Sequence, residues 1–244
     1  MKKVKPTKKL LDKFKSRAET LIFEGYCTNA DNVVIYNDGE SYALISNVKG
    51  SIKCCFNTDS EDFVWAVVNE LDYSEVEFSA VDPFVTELLR KHFNFVWETN
   101  TFLYVWNGKP LTYNCKQDIR PMSPAYAKQI SDGTHYHAPI EDIIDVLARH
   151  PSAAVYVDGK PVCWCLLHLE KSLGMLYTEP EHRRKGYALE VMTALCNKVI
   201  AKGDIPYAYI VCDNIASLSL AEKYNLQRHK RADYFMVNFV DCHI

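Results

Sequence analysis

The stretch VVIYNDGESYALIS, residues 33–46, returns as AAVYVDGKPVCWCL, residues 153–166. Tyr36, Asp38 and Gly39 fall on Tyr156, Asp158 and Gly159 at one constant offset. Both stretches read as strand, Asp-Gly turn, strand, which is a hairpin signal. Further on, VDPFVTELLRKHFNF (81–95) is answered by CDNIASLSLAEKYNL (212–226), with Asp82 on Asp213 and Leu89 on Leu220. Each of these follows a β-rich run and precedes another. Two matches in the same order with the same flanks predict a tandem duplication, so the chain must build one supersecondary unit twice.

The offset between the copies grows by 11 residues from the first match to the second. The extra length of the second copy holds HRRKGYA, residues 182–188, three cations and a glycine at the mouth of an apolar-periodic run. The first copy offers CCFNTDSEDFVWAVV there instead, with Asp59, Glu61 and Asp62 and no Arg, Lys or Gly. Acids at a helix start favour the helix, but they repel an anion. The halves are expected to share a fold, with only the second built for a phosphate.

A length of 244 residues suits two domains of about 120 each, and 48% apolar residues can fill two cores. The connecting stretch GKPLTYNCKQDIRPMSPAYA places the boundary near residue 113, giving 1–113 and 114–244. After it, SPAYAKQISD and IEDIIDVLARH read as helices, followed by the hairpin and a strand at MLYT. The expected class is α/β (α+β), tandem domains each with a mostly antiparallel mixed sheet flanked by helices. A net charge of −3 argues against nucleic-acid binding through bulk charge. The basic start MKKVKPTKKLLDKFKSR lacks the apolar core of a signal peptide, and no run approaches a membrane span. Nine cysteines without a CxxC pair read as buried free thiols in a reducing cytoplasm, not as a zinc site. His135 and His137 flank Tyr136 as a weak metal pair; no metal is expected.

From Ala188, apolar residues recur at Val191, Met192, Leu195 and Val199, one face of a helix. Lys202-Gly203 close it, a late cation and a terminal glycine. The helix therefore starts near Gly186. Its first N–H groups have no partner inside the helix, and the helix dipole favours an anion there. Two readings follow: a cradle for a polyphosphate, or an exposed basic turn that caps the helix.

HRRKGYA resembles the R-x-x-G-x-A form of the coenzyme A pyrophosphate loop of the GNAT superfamily of N-acyltransferases, with Arg183, Gly186 and Ala188 at its defining positions. LYTEPEHRRKGYA is similar to the family's strand that enters the loop through Pro-Glu. NIASLSLAEKYNL is similar to its N-x-x-S-x-x-L-Y-E-K-x-G-F helix, matched by Asn214, Ser217, Leu220, Glu222 and Lys223. Within the superfamily, the glycine N-acyltransferase and FR47-like branch looks nearest. The likeness covers roughly 114–244, and the N-terminal half would be a degenerate copy.

The resemblance implies that N–H groups from Arg183 through Arg184, Lys185, Gly186 and Tyr187 to Ala188 hold the pyrophosphate of acetyl-CoA or another acyl-CoA. Leu176, Tyr177 and Thr178 would pair with the pantetheine arm like an added strand. Asn214 and Ser217 would flank the arm near the thioester. The acceptor would be the amine of a small molecule such as an amino acid. Neither nucleic acid nor membrane is expected as a partner, and the chain would be a cytoplasmic monomer or homodimer.

There are departures. The family's usual tyrosine acid falls on Ala221, with Tyr224 three residues on; Asn225 and Leu226 replace the closing Gly and aromatic. Pro83 stands in the first half where Asn214 stands in the second. For the amine's proton, Glu170 is the candidate, with His168 beside it, both expected on the strand or turn facing the loop. Leu176 N–H would serve the oxyanion. The rival readings are a non-catalytic acyl-CoA-binding module and a nucleotide-phosphate or RNA-binding domain that uses the basic loop.

Overall fold

The computed structural model describes residues 1–109, 111–112, 116–134, 137–223 and 226–240. The boundary expected at 113/114, His135 and Tyr224 lie outside the described residues.

The first half runs β1 (Lys2–Val4), α1 (Lys8–Lys15), α2 (Leu21–Asn29), β2 (Asp31–Asp38), β3 (Ser41–Val48), β4 (Ser51–Asn57), α3 (Glu61–Val68), β5 (Glu75–Val81), α4 (Pro83–Arg90) and β6 (Phe95–Trp106). The second runs β7 (Ile119–Arg120), α5 (Ala127–Gly133), α6 (Ile140–Arg149), β8 (Ala153–Val157), β9 (Lys160–Leu167), β10 (Leu173–Thr178), α7 (Tyr187–Ala201), β11 (Tyr207–Val211), α8 (Ile215–Lys223) and β12 (Leu226–Asn238). The two lists have the same order of helices and strands, as the duplication requires. Among the described residues no helix is long and apolar enough to cross a membrane.

By contacts the chain divides into two compact units, and the division is not a single cut near 113. The first unit comprises 1–103, 209–214 and 229–244; the second comprises 104–208 and 215–228. The reason is strand pairing. One eight-stranded sheet has the order β1-β2-β3-β4-β5-β12-β6-β11. The last strand of the chain thus pairs antiparallel with β5 of the first copy, Val237 opposite Val76. A row of rings ties these strands together: Phe56 on Phe78 at 6.3 Å, Phe78 on Phe235 at 4.8 Å, and Phe235 on Phe95 at 4.1 Å, all near parallel. Stacking of this kind adds to the area the rings bury. Within this sheet β4 and β5 are joined in parallel at Lys53–Glu77 and Cys54–Phe78.

The second unit is a four-stranded antiparallel sheet, β10-β9-β8-β7, between two helical layers. Alternation along β9 makes the layers. Trp164 and Leu166 face α5 and α6, packed with Ile130, Ile143 and Val146. Cys163 and Cys165 face the other way, where the Cys165 thiol meets Met192 of α7 at 3.4 Å. The hairpin between β8 and β9 turns at Asp158 and Gly159, both at positive φ, as a type I′ turn requires. In the first copy the turn falls one residue later, on Gly39 and Glu40, because Asp38 still pairs with Ser41.

Candidate functional site

β10 sets the geometry of the site. It is the edge strand of its sheet, so one row of its backbone groups is unpaired within the sheet. It is also bulged. Gly174 pairs with Leu166 and Tyr177 with Trp164, which leaves one extra residue on β10, and Met175 adopts φ +50°. A glycine inside a strand is a recognised sign of a bulge.

At the far end of β10 the chain makes a short 3₁₀ turn, Pro180–His182, and then the basic loop. Arg184 has φ +61° and Gly186 φ +85°. Gly186 is the N-cap of α7. Successive N–H groups around left-handed residues form an anion-binding concavity. The arrangement is open: Arg184, Lys185 and Gly186 are exposed. Their N–H groups, with those of Tyr187 and Ala188, have no hydrogen-bond partner among the described residues. The sixth expected donor differs. Arg183 N–H is taken by the Pro180 carbonyl at 3.3 Å. α7 is held from below by Val191, Met192, Leu195, Cys196 and Val199, all buried, so the donors sit on a fixed base.

The root of the loop is clamped. Glu179 N–H donates to Val162 O at 2.9 Å, and its carboxylate accepts from Gln129 Nε2 of α5 at 2.7 Å. Gln129 is invisible to sequence reasoning, because nothing local marks a contact across 50 residues. Glu190 was also missed. It is 3% exposed in the first turn of α7 and accepts from Gln117 N–H at 3.1 Å.

Of the three expected strand residues, Tyr177 and Thr178 face opposite sides of the sheet. Tyr177 packs against Trp164 at 5.1 Å on the α5 side. The Thr178 hydroxyl lies 3.1 Å from Cys163 Sγ on the α7 side. Leu176 is half-buried beside the bulge. Under the strand, burial pushes the Cys163 thiol up to about 12, with the Thr178 hydroxyl acting against it, and pushes Cys196 up to about 12. Cys165 is also raised, well above the usual thiol value, by burial and then by the neighbouring Cys196 and Cys163. These sulfurs remain protonated at neutral pH, and the thiol is a poor nucleophile.

Glu170 and His168 do not face the loop. They lie in the turn that precedes β10, so all of Leu173–Thr178 separates them from it. Glu170 is 9% exposed; its carboxylate accepts from Ser172 Oγ at 2.5 Å, and its carbonyl accepts from the Tyr207 hydroxyl. Hairpin length, not residue type, decides which end of a strand a turn residue reaches. Ser217 stands in the first turn of α8, while Asn214, just before that helix, belongs to the first unit. Ala221 of α8 is buried at 2% and brings no proton donor.

The first copy lacks this cradle. Ser60 caps α3, its hydroxyl accepting from Phe63 N–H at 3.2 Å, and Glu61 and Asp62 fill the first turn. Among the described residues no group of three or more His, Cys, Asp or Glu converges as a metal site would.

Residues 158–236 match the FR47-like protein family. Solved structures share the fold over nearly the whole chain. A Drosophila protein is 14% identical, with 95% of this chain and 97% of that one covered and a TM-score of 0.73. A GCN5-related N-acetyltransferase from Kribbella flavida is 12% identical, with 94% and 98% covered and a TM-score of 0.59. A tandem GNAT protein from the clavulanic acid biosynthesis pathway is 13% identical, with 93% of each covered and a TM-score of 0.54.

Proposed function

On the premise that the chain carries an FR47-like segment at 158–236 on the fold of the tandem GNAT proteins, we propose that it is an acyl-CoA-dependent N-acyltransferase. Acetyl-CoA is the acyl donor in this reading, and the amine of a small molecule such as an amino acid is the acceptor. One observation carries it: five consecutive N–H groups, Arg184 to Ala188, without a partner among the described residues, at the exit of a bulged edge strand. Such a row at a helix N-terminus suits a pyrophosphate, and the unpaired edge of β10 suits an extended amide chain. Residues 114–244 hold the whole site, and 1–113 is a partner copy without one.

A thioester is already activated, so the protein's task is to bring a neutral amine to the carbonyl carbon. The amine nitrogen bonds to that carbon, and the tetrahedral oxyanion accepts from Leu176 N–H. The attacking nitrogen loses a proton to water or to Glu170, the C–S bond breaks, and the thiolate leaves and takes a proton from water or from Tyr224. The protonated thiols of Cys163, Cys165 and Cys196 argue against an acyl-cysteine intermediate. Glu170, held by Ser172 at the end of β10 away from the loop, keeps its candidacy as the base, and Tyr224 as the acid.

Calorimetric titration of the full chain with CoA and with acetyl-CoA tests the reading, followed by assay of acetyl transfer to a panel of amino acids. Absence of CoA binding overturns it. Tight binding without transfer to any amine favours a non-catalytic acyl-CoA-binding module, the second reading that the apolar Ala221 supports.

A further inference from the structure

Arg183 is the first residue of the basic loop, and its hydrogen bonds run back to the end of β10 and to the turn that follows it. Its Nε–H donates to the carbonyl of Thr178, the last residue of β10, at 3.0 Å. Its guanidinium lies 5.7 Å from the centre of the Tyr177 ring. Its N–H is bound to Pro180 O. Tyr177 is itself immobilised. A Cβ on Gly133 of α5 would come within 3.1 Å of the Tyr177 ring and 3.0 Å of Trp164, so the backbone of α5 rests directly on both rings. α5, Tyr177, Arg183 and the loop thus form one continuous stack, and Gln129 adds a second strut from α5 to Glu179. Arg184 and Lys185, by contrast, have exposed side chains with no partner among the described residues.

We infer that Arg183 is a positioning residue that latches the loop to β10, while Arg184 and Lys185 supply the charge an anion meets. The inference rests on the acyl-CoA reading above for its ligand, but the latch itself exists without one. The alternative is that Arg183 is a phosphate ligand through its exposed Nη groups.

Covalent geometry separates the two. The side-chain nitrogen of Gln stands the same number of bonds from the backbone as Arg Nε, so Arg183→Gln keeps a donor for Thr178 O and loses the charge. Arg183→Lys puts a methylene at that position and keeps the charge. Full-length wild type, Arg183→Ala, Arg183→Gln, Arg183→Lys and Arg184→Ala are titrated with CoA at low and high salt. Amide exchange of the hydrogen-bonded groups at Glu179, His182, Arg183 and Leu189 is followed in the ligand-free proteins.

The expected result is that Arg183→Ala weakens CoA binding by about fivefold to tenfold and speeds exchange. Arg183→Gln recovers most of both losses, and Arg183→Lys recovers neither. The salt dependence of affinity stays as in wild type for every variant at position 183 and becomes shallower for Arg184→Ala. Rescue by Lys and not by Gln overturns the inference, as does a shallower salt dependence in Arg183→Ala. A wild type that binds no CoA while the exchange pattern holds removes the acyl-CoA reading and leaves the latch standing. Exchange that ignores position 183 removes the latch.

Discussion

Gly186→Ala is the sharpest perturbation of the cradle, because it adds one methyl and changes no charge. Gly186 sits at φ +85°, ψ −2°. An L-residue there brings Cβ against the carbonyl oxygen, at about 1–2 kcal/mol, or fivefold to thirtyfold in an equilibrium constant. The strain can relax through the helix or through the loop. The helix is held by five buried apolar side chains, and its first turn is bonded to Gly186 O by Leu189 N–H at 3.0 Å and Glu190 N–H at 3.3 Å. The loop side has five N–H groups with no partner among the described residues to lose. The peptide planes of 184–186 therefore rotate, and the donors cease to converge. CoA affinity measured by calorimetry should fall by that same factor of about five to thirty. The melting temperature should move by no more than a few degrees, since about 1 kcal/mol shifts a chain of this size by about 2–4 °C. An unchanged affinity together with a clearly lowered melting temperature would refute the reasoning. The strain would then sit in α7, and the loop amides would not be the ligands.

Two further outcomes follow from the turn before β10. A Cβ on Gly174 would lie 2.0 Å from His168 Nε2, so Gly174→Ala should destabilise by about 1–3 kcal/mol in urea; most of that loss should vanish in the His168→Ala background, and additive losses would contradict the contact. The second concerns His150, whose Nε2 lies 3.2 Å from Leu169 O. Its pKa is lowered chiefly by burial, against that hydrogen bond, with Lys171 and Lys202 lowering it and Glu170 raising it. The unfolded chain thus takes the proton first, so this contribution is full above about pH 6.5 and is lost as pH falls through the lowered folded value. Urea midpoints at pH 7.5 and 5.5 should differ more in wild type than in His150→Gln; an equal difference removes His150 from the account.

The loop and its helix were legible in the sequence because their determinants are local. Gly186 adopts the left-handed backbone that glycine tolerates, and Lys202 and Gly203 end α7 at the predicted place, Gly203 at φ +77°. The helix face predicted from Val191, Met192, Leu195 and Val199 is the buried one. The end of β10 that Glu170 reaches was not legible, because it depends on the length of the hairpin and not on a local signal. The bond from Arg183 Nε–H to Thr178 O was not legible, because a motif records residue types, not where a guanidinium turns.

The amino-acid sequence by itself carries a duplicated order of elements, a basic loop in one copy and an acidic cap in the other. Those features depend on backbone preferences and side-chain chemistry a few residues apart, which the linear order preserves. Only the tertiary structure decided that β10 would be an edge while β4 is paired through Lys53–Glu77 and Cys54–Phe78. It alone put β12 against β5, so that a repeat boundary is not a boundary between compact units. Strand pairing joins residues far apart in the chain, and many registers satisfy the same alternating pattern; burial of the whole sheet selects among them.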